Sequence, residues 1–146
     1  MNRIYVYSST GNSLALAEGM ARRLGDCELV NMARCLERNE EASFETVGLV
    51  FPVHAFGLPA VVRRFFDHLS VDGGSWVYLL LDSAGMPLGA PALAAKILAG
   101  RGVTVRAGFH VAMAGNYPPL YNPPSGEKRQ ALAERGEGAL DAIAES

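Results

Sequence analysis

Ser8-Ser9-Thr10-Gly11-Asn12-Ser13 separates an apolar run, Ile4-Tyr5-Val6-Tyr7, from a segment in which Leu14, Ala17, Met20, Ala21 and Leu24 recur at helical spacing. The pattern dictates a buried strand, a turn and a helix. Every side chain in the turn donates a hydrogen bond, none is charged, and the single glycine is Gly11. The N–H groups that open a helix have no partner of their own, and the helix dipole adds positive potential there. Such a turn holds a phosphate, and Gly11 lets the backbone close around the anion. With no lysine it is not the loop of nucleotide triphosphatases, and with no G-x-G-x-x-G it is not a dinucleotide fingerprint. A single phosphate monoester held by neutral donors fits best. The plainer use of the same residues is a Ser/Thr-rich helix cap.

Outward from this turn, strand-like and helix-like segments alternate to the end of the chain. Gly25 stops the first helix, and Cys27 to Met32 reads as a short second strand. Ala33 to Thr46 is charged and reads as a solvated connection with one helical turn. Val47 to Val53 is a third strand, apolar as expected when both faces are covered. Pro59 fits the first turn of a helix whose inner face is Val61, Val62, Phe65, Phe66 and Leu69. Gly73-Gly74 is a turn, Trp76 to Leu81 a fourth strand, and Pro91 to Ala99 a helix ended by Gly100. Val103 to Met113 is a fifth strand, 114–125 a proline-rich ordered loop, and Gly126 to Ile143 a closing helix.

Five such alternations predict one α/β domain over 1–146, a doubly wound five-stranded parallel sheet with helices on both faces. Strand order 2-1-3-4-5 is the expected choice. It makes strands 1 and 3 neighbours whose helices leave on opposite faces, so a ligand crevice opens at their carboxyl ends. The loops that reach this crevice are the hydroxyl-rich turn and residues 52–59. In the second, Pro52, Val53, His54, Ala55, Phe56, Gly57 and Pro59 form a stiff segment that offers two rings, His54 and Phe56, to a flat ligand. The same rings equally suit a core position for Phe56 and a helix cap for His54.

Three motifs carry a resemblance to a known family. Ser8 to Ser13 resembles the FMN-phosphate loop of flavodoxins, T/S-x-T-G-N-T/S. Val50-Phe51-Pro52-Val53-His54-Ala55-Phe56-Gly57-Leu58-Pro59 and Met113-Ala114-Gly115-Asn116-Tyr117 resemble the flavodoxin half of flavodoxin–ferredoxin fusion proteins, with His54 where that family often has Tyr. The resemblance implies a flavodoxin-like FMN-binding domain. It implies cofactor contacts from Ser8, Ser9, Thr10, Gly11, Asn12 and Ser13 to the phosphate, and from 52–57 to the isoalloxazine ring. It also implies contacts from Ser83, Ala84 and Gly85 to the pyrimidine edge, and from Asn116 and Tyr117 to the outer face or dimethylbenzene edge. Tyr117 and Tyr121 can equally serve only to pack their loop. The function implied is electron transfer between a reductase and an acceptor, with redox proteins as partners, a ferredoxin-type protein among them. No side chain is needed as acid, base or nucleophile, and no metal site is expected. The alternatives are an FMN-dependent NAD(P)H reductase and a flavin-free interaction domain.

Composition narrows the field further. The chain has 146 residues, 49% hydrophobic and 19% charged, so it is globular and large enough for a core. A net charge of −2 gives no footprint for nucleic acid, and no apolar stretch is long enough for a bilayer. Met1-Asn2-Arg3 leads straight into a strand, so a cytoplasmic location is expected. Cys27 and Cys35 match no redox or metal spacing; Cys27 reads as a buried apolar residue and Cys35 as an exposed thiol. The iron–sulfur part of the fusion proteins is absent. A receiver domain needs acidic residues where this chain has Ser8, Ser9 and Pro52, and a small tyrosine phosphatase needs Cys and Arg after strand 1. Neither is present.

Overall fold

The computed structural model describes residues 2–8, 11–36, 40–53, 58–83 and 90–112, with the backbone alone for 12, 40, 83, 90 and 110–112. The elements run β1 (Asn2–Val6), α1 (Asn12–Leu24), β2 (Cys27–Asn31), a 3-10 turn (Met32–Arg34), β3 (Glu40–Ala42), β4 (Thr46–Pro52), α2 (Ala60–Phe66), β5 (Leu69–Val71), β6 (Trp76–Ser83), α3 (Ala90–Ala99) and β7 (Val105–Ala112). The main sheet is parallel throughout, in the order β2-β1-β4-β6-β7. That is the expected 2-1-3-4-5 order, with β3 and β5 counted as extra short strands. The expected loop at 114–125 and helix at 126–143 lie outside the described residues.

Alternation along the strands sorts the core into two layers. Tyr5, Leu49, Phe51, Leu79 and Leu81 face one way and pack with Val62, Phe65 and Phe66 of α2 and Ala94 and Leu98 of α3. Ile4, Val6, Val50, Tyr78 and Leu80 face the other way and pack with Leu16, Ala17 and Met20 of α1. Because the central strands are covered on both faces, β4 and β6 read as continuous apolar runs rather than alternating ones. The consequence for function is that α1 and α2, the helices after adjacent strands β1 and β4, lie on opposite faces. The ends of β1 and β4 are therefore neighbours whose helices leave on opposite faces, the arrangement at which the sequence places a ligand crevice.

Tyr78 is the odd member of the α1 layer. Its ring lies across Gly48 on the neighbouring strand, and its hydroxyl is buried with no hydrogen-bond partner among the described residues. Burial pushes that hydroxyl's pKa far up. An orphaned buried hydroxyl carries an uncompensated desolvation cost. Tyr78→Phe is therefore expected to raise stability by about 1 kcal/mol, read as a higher urea midpoint with an unchanged slope. A lower midpoint would mean that the hydroxyl has a partner.

Three sequence expectations are corrected. Residues 33–46 are not only a connection, because β3 pairs in parallel with β5 in a second, two-stranded sheet. Leu69 belongs to β5 and not to the preceding helix, which ends at Phe66; Leu69 is buried, Ser70 exposed and Val71 half-buried, the period of a strand. The two cysteines exchange roles. Cys35 is fully buried, its thiol donating to the Asn31 carbonyl at 3.6 Å, whereas Cys27, on the edge strand β2, is half-buried. The 3-10 turn explains this, since it places Met32 and Cys35 three residues apart on one side, and both enter the core. Among the described residues no helix is long and apolar enough to cross a membrane.

Candidate functional site

The hydroxyl-rich turn leaves β1 and enters α1 as the sequence requires. Gly11 is the residue before the helix, with φ 94°, a left-handed backbone that no β-carbon substituent tolerates cheaply. Its carbonyl accepts the first helical bond from Ala15 N–H at 3.0 Å. Among the described residues no side chain caps the helix, and the N–H groups of Asn12, Ser13 and Leu14 have no intrahelical acceptor. Ser8 folds back over the turn, its Oγ accepting from Gly11 N–H at 2.9 Å. That bond uses the oxygen of Ser8 and leaves its O–H to donate. Free backbone donors, a positive helix end and a neutral hydroxyl make an anion cradle of the kind a phosphate monoester occupies.

Ser13 departs from the expectation. Its side chain is buried, and its hydroxyl donates to Oδ1 of Asp82 at 3.0 Å. Ser13 therefore offers an anion its backbone N–H and not its hydroxyl. Asp82 is itself fully buried near the end of β6, opposite Pro52 of β4. The fourth strand was expected to end at Leu81; instead β6 continues through Asp82 to Ser83. The first turn of α1 is thus tied across the sheet to β6.

The ends of β4 and β6 are also joined. Val53 N–H donates to the Asp82 carbonyl at 2.9 Å, which continues the β4–β6 ladder past Pro52. Pro52 is buried, and Val53 packs against the α2-side core. Pro59 precedes α2 by one position and is not inside its first turn. Ser83 closes β6 beside Ala112 of β7. The carboxyl ends of β1, β4, β6 and β7 therefore lie side by side, and each expected ligand loop departs from one of them.

No family model and no curated protein matches the chain. Solved structures do. An azoreductase from Bacillus anthracis str. Sterne superposes with a TM-score of 0.66 at 11% identity, over 99% of this chain and 98% of that one. The FMN-dependent NADH-azoreductase from Bacillus anthracis str. Ames Ancestor, in complex with FMN, gives 0.57 at 10% identity, over 99% and 100%. The flavodoxin of Streptococcus pneumoniae TIGR4 gives 0.55 at 14% identity, over 97% and 98%. The fold is flavodoxin-like.

Within this flavodoxin-like sheet, Ser8, Gly11, Asn12 and Ser13 come together at the end of β1, with Pro52, Val53 and Ser83 on the adjoining strand ends. The side chains of Asn12 and Ser83 are not described, and Ser9, Thr10, His54, Ala55, Phe56, Gly57, Ala84, Gly85, Asn116 and Tyr117 lie outside the described residues. Two features of this edge of the sheet were not expected from the sequence. Asp82 was visible only as a lone carboxylate closing the run Leu79-Leu80-Leu81. Leu14, expected on the buried side of α1, is 41% exposed beside the cradle.

Proposed function

We propose that the chain binds FMN at the carboxyl edge of its sheet and carries electrons between proteins. The observation that supports this reading is the start of α1, with no side-chain cap among the described residues, behind a left-handed Gly11 and the folded-back Ser8. These residues suit a phosphate monoester on the ligand: neutral donors satisfy its oxygens, and the helix end contributes about 0.3–1 kcal/mol. The crevice between β1 and β4 suits a flat ring system attached to that phosphate. The flavin, when bound, supplies the redox chemistry. The protein holds the phosphate, orients the ring and excludes water from it. The three motifs that resemble flavodoxins, and the flavodoxin half of the fusion proteins in particular, favour a carrier served by a separate reductase, with a ferredoxin-type protein as a candidate partner.

The azoreductase likenesses favour a second reading, an FMN-dependent reductase that takes hydride from a nicotinamide. One experiment separates the two. The purified full-length chain is saturated with FMN and reduced stepwise by light in the absence of oxygen. Two resolved one-electron steps, with no bleaching by NADH or NADPH alone, are the outcome expected of a carrier. A single two-electron step, with bleaching by a nicotinamide, marks a reductase. Failure to bind FMN at all would overturn both and leave the interaction-domain reading.

A further inference from the structure

A second concavity adjoins the phosphate cradle on the side of β1 away from β4. It is a half-open cleft of about 480 Å³ at the ends of β1 and β2, and Ser8 lines it. Its volume lies in the range of small-molecule sites. Val6, Leu14 and Leu29 give it an apolar wall, and Leu14 is exposed. Leu14 and Trp76 are the only exposed large apolar side chains among the described residues.

The charge of the cleft is also decided by named pairs. Glu28 is held by Arg3 at 2.8 Å. Arg34, in the 3-10 turn after β2, has no ion pair or hydrogen bond among the described residues. Asn31 has its Oδ1 committed to Ala33 N–H at 2.9 Å, which leaves its amide N–H groups as donors. An apolar wall, a guanidinium with no ion pair among the described residues and an amide donor match a nucleobase joined to a phosphate.

On the reading that the cradle takes a flavin phosphate, we propose that this cleft takes the adenylate half of a flavin dinucleotide, so that the chain binds FAD as well as FMN. The hydroxyl-rich turn is built for one phosphate and has no cation. The second phosphate of a dinucleotide needs its own positive partner, and Arg34 supplies it outside the turn. The adenine rests on Leu14 and Leu29. Ser8, shared by cradle and cleft, lies where the two phosphates join. A nicotinamide donor is not the expected occupant, because its ring must reach the flavin, on the opposite side of β1.

The test uses the full chain freed of flavin, titrated with FMN and with FAD by calorimetry and flavin fluorescence anisotropy. FAD is expected to bind about tenfold more tightly than FMN, a difference of about 1.4 kcal/mol. Arg34→Ala, on an exposed turn, is expected to remove that preference while FMN affinity stays within about twofold. Leu29→Ala, on the edge strand β2 and outside the cradle, is a second variant with the same expected pattern. FMN binding without a FAD preference, or Arg34→Ala weakening both flavins by one factor, overturns the proposal and leaves the FMN reading standing. If neither flavin binds, the FMN reading fails and this proposal with it.

Discussion

A Ser8→Asp variant is expected to lose FMN affinity by about two to three orders of magnitude and to bind riboflavin as the parent does. The argument rests on what the substitution keeps and what it adds. An aspartate still accepts from Gly11 N–H, the bond that Ser8 makes at 2.9 Å, so the turn keeps its internal tie. What changes is the loss of a neutral donor and the arrival of a negative charge within reach of the phosphate. Two unit charges about 4 Å apart repel by about 4 kcal/mol at the effective dielectric near a protein surface, and about 1.4 kcal/mol is tenfold in affinity. Riboflavin has no phosphate and does not meet this repulsion. Titrating both ligands by flavin fluorescence reads the two effects separately. If FMN and riboflavin weakened together, the turn would be holding the ring and not the phosphate.

The second large effect concerns stability. Gly48→Ala is expected to destabilise the fold by about 3 kcal/mol, the upper part of the range for overpacked cores. A β-carbon at residue 48 would stand 2.5 Å from both Cζ and Oη of Tyr78. Tyr78 cannot swing away freely, because it is buried with Ile4, Val50 and Leu80 under α1. Strand preference alone would favour alanine over glycine, so the sign of the effect isolates the clash. In a Tyr78→Leu background the same Gly48→Ala change is expected to cost far less, and the coupling energy from urea denaturation measures the relief. Equal costs in both backgrounds would place the loss elsewhere. A domain of this kind has about 5–15 kcal/mol in total, so the single variant is visible in any unfolding assay.

How far the sequence could be read follows from the physics of each segment. The parallel sheet was legible because β4 and β6 bury both faces, and an unbroken run such as Val47 to Phe51 admits few other uses. The start of α1 was legible because a positive-φ position favours glycine, and Gly11 stands where the turn needs one. β3 was not legible: Glu40-Glu41-Ala42 has the composition of a solvated loop and becomes a strand only because β5 lies beside it. Leu69 satisfied helical spacing and strand spacing at once, and local pattern cannot choose between them. Cys35 went inside because a three-residue turn rotated it there, a tertiary event with no signature in its charged neighbours. At the candidate site, donor types and spacing pointed to the turn that opens α1, but the fate of each hydroxyl did not follow from composition. Ser8 and Ser13 look alike in the sequence, yet one folds over the turn and the other reaches Asp82, a partner 69 residues away.

That long-range tie bears on when the protein becomes able to hold a ligand as it is made. β1, α1 and β2 form a local unit, and chains of this kind begin to fold from the end that emerges first. The unit already contains Ser8, Gly11 and the opening turn of the helix. Yet Ser13 has its anchor only after synthesis has passed residue 82 and β6 has added to the far side of β4. Until then the start of α1 frays in water like any helix end. A nascent chain therefore acquires its cradle late, although every backbone donor in it was made early. Ligand that binds only the finished cradle stabilises the completed sheet by mass action and gives nothing to the fragments that precede it.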